Sequence, residues 1–292
     1  MSATTAVAPQ AAEPAGRVRR IARRLRRLGL PERLGLAMLA AATLLALIGP
    51  LLAPHDPQRP VGESLISPGS EFLLGTDELG RDVFSRVLYG IQITWLSALV
   101  VVAAGLLVGG AIGLVAGVRG GRVDNVLMRI VDTGLALPGA VLAIAITVAL
   151  GASLTTTVLS IAAFWWPFYA RLVRGEARAI AVLPHVEAAR ASGIGSVRLA
   201  LKHVLPGALP PVIVAASLDL GIVVLVLAGL TFIGLGAQPP TPELGAMAAL
   251  GLDFLFTHAW VPLAPAFAVF LLALSANLGG DGLRDLLEDE DV

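Results

Sequence analysis

The chain has 292 residues, 56% of them hydrophobic and only 14% charged, with 21 Lys and Arg balancing 21 Asp and Glu. That excess of apolar over charged residues excludes an ordinary soluble domain and points to an integral membrane protein. Cysteine is absent, which excludes disulfides and thiolate metal sites, and His55, His185, His203 and His258 lack ligand spacing.

Residues 1–16, rich in Ala and Pro with few charges, read as a disordered tail. They run into Arg17, Arg19, Arg20, Arg23, Arg24, Arg26, Arg27 and Arg33, so residues 1–33 form a basic N-terminal segment. A spanning helix needs about 20 apolar residues, and residues 34–53 supply the first. A cleaved signal peptide is the competing reading, but the run is long and Ala53-Pro54 is a poor cleavage site. Residues 54–92 form a loop holding a glycine-punctuated turn and then an amphipathic interfacial helix, with Asp82 and Arg86 at i,i+4 as an ion pair.

The second span covers about 93–118. Within it Gly105, Gly109, Gly113 and Gly117 share one helical stripe, which lets a neighbouring backbone come close. The stripe suits either a sliding interface or tight static packing. The third span, about 126–150, carries Pro138 well inside it, where a kink is expected. Its Asp132 is near enough to one end to pair with Arg129 or an arginine further on. The fourth, 157–169 with its flanks, is short, and Trp165-Trp166-Pro167 fits an interfacial belt or a kinked pore-side helix.

A polar stretch follows, with a helix-compatible segment at 187–206. Ala188 and Ala189 let a helix approach another surface closely, Gly193 allows a turn, and Ser196 is placed to cap a second short helix ending before Leu205-Pro206. This is a helix–turn–helix knob at the membrane face. The chain's single lysine, Lys202, follows Leu201, so no Gly-Lys phosphate cradle exists and any ATP hydrolysis must come from another polypeptide. The fifth span, about 211–235, holds Asp219, and the sixth, about 261–278, holds Asn277. Polar groups at such depth are costly and mark either a pathway or a structural hydrogen bond. Residues 281–292 make an acidic tail.

With the N-terminus in the cytoplasm, inside segments hold 18 of the 21 Lys and Arg residues, and only Arg59, Arg81 and Arg86 fall outside. That asymmetry places both termini, and the knob, on the cytoplasmic side.

The knob resembles the EAA loop of importer-type ATP-binding-cassette permeases: Glu187-Ala188-Ala189, Gly193, and closing Leu205-Pro206, with His203 where the pattern usually has isoleucine. The string Gly75-Thr76-Asp77 to Gly80-Arg81-Asp82 is similar to the signature of the second (C-type) permease subunit of dipeptide, oligopeptide and nickel importers. Three further strings agree: 129–138, 229–242 and 277–285. The resemblance implies an all-α, type I importer (MetI-like) permease fold with six transmembrane helices in the bacterial inner membrane, its core at 93–280 and its coupling loop at about 175–206. It implies a second, homologous permease, two ATPase subunits carrying ATP and Mg, and an extracytoplasmic binding protein; no cofactor is expected on this chain. Glu187, Ala188, Ala189, Arg190, Gly193, Arg198, Leu205 and Pro206 would engage an ATPase groove. Di- or oligopeptides are the commonest cargo of the family, with nickel chelates and glutathione moved by similar permeases.

Two other classes compete. A proton- or ion-coupled carrier would place ionisable relays near the midplane, where only Asp219 qualifies. An intramembrane enzyme would need a His pair, a Ser–Lys dyad or an Asp pair at depth, and the motifs of such enzymes are absent.

Overall fold

The computed structural model describes residues 28–288, and all of them that form regular structure are helical. The arginines from Arg17 to Arg27 and the end of the acidic tail lie outside these residues. The first helix, α1 (Leu30–Leu52), starts with Pro31 in its first turn, where a missing N–H costs nothing. α2 (Val83–Arg119) is a single 37-residue helix, capped by the Asp82 carboxylate accepting from the Ser85 amide at 3.0 Å. The interfacial helix expected before the second span is therefore not a separate element. Burial of Val83, Ser85, Arg86, Val87, Leu88 and Ile91 makes it the buried start of α2 instead.

Gly120 and Gly121, both at positive φ (62° and 56°), reverse the chain into α3 (Gly121–Ala136). The third apolar run then breaks at Leu137-Pro138, and α4 (Gly139–Leu150) leaves at 78° to α3. The expected kink is there, and it divides the run into two helices. α5 (Leu154–Ala181) opens with a reciprocal Ser153–Thr156 capping box and extends well past the short run expected. α6 (Pro184–Ala191) and α7 (Ser196–Leu199) form the knob, and α8 (Leu205–Phe232), α9 (Leu244–Leu250) and α10 (Trp260–Glu288) complete the order.

Among the described residues four helices are long and apolar enough to cross a membrane, or five if the bent α3–α4 pair is one span. The core joins α2, α5, α8, α9 and α10 around fully buried Trp95, Ile161, Tyr169, Leu227 and Leu244.

Each glycine of the α2 stripe lies against α5. A Cβ at Gly109 would sit 2.1 Å from the Trp166 carbonyl oxygen, one at Gly113 2.4 Å from that of Ala170, and one at Gly117 2.7 Å from the Ala177 Cβ. The two backbones are therefore in direct contact, which is what small residues permit in a membrane, where apolar burial alone does not distinguish helix from lipid. α1 closes on α10 the same way, with Gly35 against the Leu278 carbonyl.

Candidate functional site: the knob and the polar contacts behind it

The knob has two faces. Val186, Leu199 and Val204 are buried with Leu114 of α2, Val173 and Ala177 of α5 and Val212 of α8. That apolar anchor fixes the segment to the helix bundle. Glu187, Ala188, Arg190, Gly193, Arg198 and Pro206 are exposed, whereas Ala189 and Leu205 are half-buried and pack against the anchor. The two alanines are thus not equivalent: Ala188 faces out and Ala189 faces in. Neither Glu187 nor Arg190 forms an ion pair among the described residues.

The turn between α6 and α7 rests on Gly193 at φ 79°, with its amide donating to the Arg190 carbonyl at 3.0 Å. A Cβ there would meet nothing within 4 Å. Glycine is needed for the left-handed backbone, not for room within this chain.

Two expectations need correction. Ser196 does not cap α7; Gly195 holds the cap position, without a side-chain bond, and Ser196 is the first helical residue. The second helix also does not stop before Leu205-Pro206. It continues through a π turn at Ala200–Val204 directly into α8, with the Leu205 amide donating to the Ala200 carbonyl. Pro206 has no N–H to extend a regular α-helical ladder, and the widened turn accommodates it at the start of α8.

The intramembrane polar residues do not converge on one cavity. Asp219 is buried and accepts from the Trp165 indole N–H and from the Tyr169 hydroxyl at 2.7 Å, tying α8 to α5. Of the two roles open to it, the geometry is that of a structural hydrogen bond. Asp132 pairs with Arg171 of α5, and both side chains are more than half exposed. Asn277 donates to the Ala273 carbonyl of its own helix at 2.8 Å and lies against Gly221.

Sequence reasoning missed two buried acids. Asp124, at the start of α3, accepts from Arg174 through both oxygens, with Arg178 3.4 Å away. Glu243, wholly buried, caps α9 through the Ala246 amide (2.9 Å) and takes the Thr94 hydroxyl (3.0 Å). Its signal was an acid one residue before an apolar helix.

The signature loop is a buried polar knot. Thr76 and Asp82 form an isolated antiparallel bridge. The Thr76 hydroxyl donates to the Glu63 carbonyl at 2.7 Å and accepts from the Ile66 amide at 2.8 Å. The Asp77 carboxylate accepts from the Leu79 and Arg81 amides (both 2.9 Å) and from the Arg81 Nε at 2.6 Å. Gly75 and Gly80 are at φ 70° and 74°, and a Cβ on either would strike a carbonyl oxygen, of Ile66 at 2.4 Å or of Gly62 at 2.2 Å. The expected Asp82–Arg86 pair does not form. Asp82 turns back to cap α2, also taking the Ser85 hydroxyl at 2.6 Å. Arg86 instead lies 3.4 Å from Asp77 and donates to the carbonyls of Pro57 (2.7 Å) and Pro240 (3.5 Å). The knot therefore joins loop 54–82 to the α8–α9 connection. No cluster of three or more His, Asp or Glu suited to a metal occurs among the described residues.

A family model described as the inner membrane component of binding-protein-dependent transport systems matches residues 109–290. A probable D,D-dipeptide transport permease of Escherichia coli K12 is 45% identical, covering 84% of this chain and 83% of that protein. A di/tripeptide permease of Pseudomonas aeruginosa is 40% identical over 87% and 86%, and the nickel permease of Escherichia coli K12 is 36% identical over 88% and 93%. In fold the chain is similar to a chain of the inward-facing MetNI methionine transporter, with a TM-score of 0.55 at 22% identity, covering 68% of this chain and 95% of that one. The chain belongs to the family of inner membrane components of binding-protein-dependent transport systems. It is a multi-pass permease subunit of an ATP-binding-cassette importer, with the all-helical MetI-like type I fold, and the ATPase resides in separate subunits.

Proposed function

We propose that this permease forms one half of a pathway for di- or oligopeptides and that α6–α7 is the contact through which an ATPase subunit drives it. The observation that carries the reading is the two-sidedness of the knob. An apolar anchor holds it rigidly on α2, α5 and α8, while Glu187, Ala188, Arg190 and Arg198 are presented outward with no ion pair within the described chain. A rigid lever with an unmatched polar and small-residue surface suits mechanical coupling to a partner.

The pathway half comprises six spans: α1, α2, the bent α3–α4 pair, α5, α8 and α10. At 1.5 Å per residue the 28 residues of α5 reach about 42 Å, enough for the roughly 30 Å hydrocarbon core, although its arginine-bearing end is polar. Six spans return both termini to the cytoplasm, with loop 54–82 and its knot outside, near a docking binding protein. A second, homologous permease supplies the other half, and two ATPase subunits with ATP and Mg lie beneath. Support for peptide cargo comes from the relatives described as dipeptide or di/tripeptide permeases. A nickel chelate is the second reading, favoured by the relative described as a nickel permease.

The test uses the chain's lack of cysteine. Ala188→Cys should cross-link to an ATPase subunit, and Ala189→Cys much less, because its side chain faces the anchor. Gly193→Val should leave the permease inserted but release uptake of a labelled dipeptide from ATP hydrolysis. Full coupled uptake by Gly193→Val, with no cross-link from Ala188→Cys, would refute the knob's role.

A further inference from the structure

An apolar groove of about 470 Å³ lies between the C-terminal half of α2 and the segment running from α7 into α8. That volume falls within the ~300–1,000 Å³ of ligand-sized pockets. Its walls include Leu107, Ala111 and Val115 on α2 and Leu201 and Leu209 opposite. Among the described residues the polar side chains lining it are Arg119 and Ser196. Arg119 closes α2, is exposed, and has no carboxylate within 4.0 Å among the described residues.

From Leu106 to Arg119 the helix rises about 20 Å. One leaflet contributes about half of a ~30 Å hydrocarbon core, so a groove of this length crosses one leaflet and ends at headgroup depth. Apolar along its length and cationic at one end, it has the polarity profile of a phospholipid: tail, then phosphate. Gly110 opens this slot. A Cβ on it would approach nothing closer than 3.8 Å, whereas its neighbour Gly109 is pressed onto α5.

We propose that the groove binds an anionic phospholipid, with an acyl chain between α2 and α8 and its phosphate on Arg119. The charge on Arg119 selects an anionic over a zwitterionic headgroup, since a basic residue at the surface attracts anionic lipid and no carboxylate among the described residues pairs with it. The groove's far wall, from Ser196 to Leu209, connects the knob to α8. The lipid therefore wedges the base of the knob, and its loss would loosen coupling. That consequence, unlike the binding itself, rests on the coupling role proposed above.

The assembled importer, purified with its partner subunits, should be equilibrated with mixed phosphatidylglycerol and phosphatidylcholine and examined by native mass spectrometry. Wild-type complex should retain phosphatidylglycerol preferentially. Arg119→Ala should reduce that preference about fivefold, and Gly110→Leu, which fills the slot from a position where the nearest α5 atom is a Val173 methyl 3.9 Å from the new Cβ, should reduce retention of both lipids. Size-exclusion chromatography of the variants checks that assembly is intact. Equal retention of the two lipids by wild type, or unchanged retention in both variants, would overturn the proposal. So would efficient cross-linking of Leu107→Cys to the second permease, which would make the groove a protein interface. Phosphatidylglycerol stimulation of ATPase activity, lost in Arg119→Ala, supports the wedge. Intact lipid preference without that stimulation overturns the wedge and leaves the binding site standing.

Discussion

Replacing Gly109 and Gly110 separately with alanine isolates the energy of the α2–α5 contact. At Gly109 the new methyl carbon would lie 2.1 Å from the Trp166 carbonyl oxygen and 2.8 Å from the Ala170 amide nitrogen. Ordinary contact begins near 3.4 Å, so α5 must retreat by about 3.4 − 2.1 = 1.3 Å. The obstructing atoms are backbone, which no rotamer change relieves. Overpacking of this kind costs about 1–3 kcal/mol. Gly110→Ala meets only Leu106 and Val173 methyl groups at 3.8 and 3.9 Å, which is ordinary contact. Both variants gain the same helix propensity, up to about 1 kcal/mol, so that gain cancels in the difference. Gly109→Ala should therefore be less stable than Gly110→Ala by about 1–3 kcal/mol in reversible unfolding of the purified permease in a bilayer or micelle. If the two variants agree within about 0.5 kcal/mol, α2 and α5 are not in backbone contact, and the reading of the stripe as a close-packed seam is wrong.

Three further outcomes are expected. Asp219→Ala leaves the half-buried Trp165 and the buried Tyr169 donors without an acceptor and should destabilise the α5–α8 pair by about 1–3 kcal/mol; Asp219→Asn keeps an acceptor oxygen and should cost less, and equal losses in thermal unfolding would contradict a hydrogen-bonding role. Arg86→Ala removes the donor to the Pro57 and Pro240 carbonyls while Asp77 keeps Arg81 at 2.6 Å, and leaving those carbonyls without a donor should cost about 1–3 kcal/mol. Arg86→Lys should rescue little, because a single ammonium cannot reproduce the planar guanidinium's several donors; the check is protease resistance of loop 54–82, which would be unchanged if the knot is dispensable. A reporter active only outside the cytoplasm should be silent when fused after Val292 and active near Gly69, and the reverse pattern would remove the knob from the ATPase side.

Much of this architecture was legible in the chain itself. Apolar runs of spanning length, the glycine repeat at every fourth position, Pro138 as a break and the small-residue turn at Gly193 all act locally, through hydropathy, sterics or backbone conformation. Periodicity also established that four glycines share a stripe, but a stripe does not name its partner, and only the packing of α5 did. The same limit explains the misses. Asp82 and Arg86 are correctly spaced for an i,i+4 pair, yet a helix N-cap competes for Asp82, and Arg86 is drawn to Pro240, 154 residues away. Ser196 is a good capping residue, yet α7 takes its N-cap one residue earlier, at Gly195, so Ser196 is already the first helical residue. Glu243 and Thr94 are separated by 149 residues. Asp219's partners lie 50 and 54 residues upstream, on another helix. Local chemistry is written in neighbouring residues, whereas a buried polar group takes whichever donor the fold brings to it, because leaving it unpaired costs more than any local preference supplies.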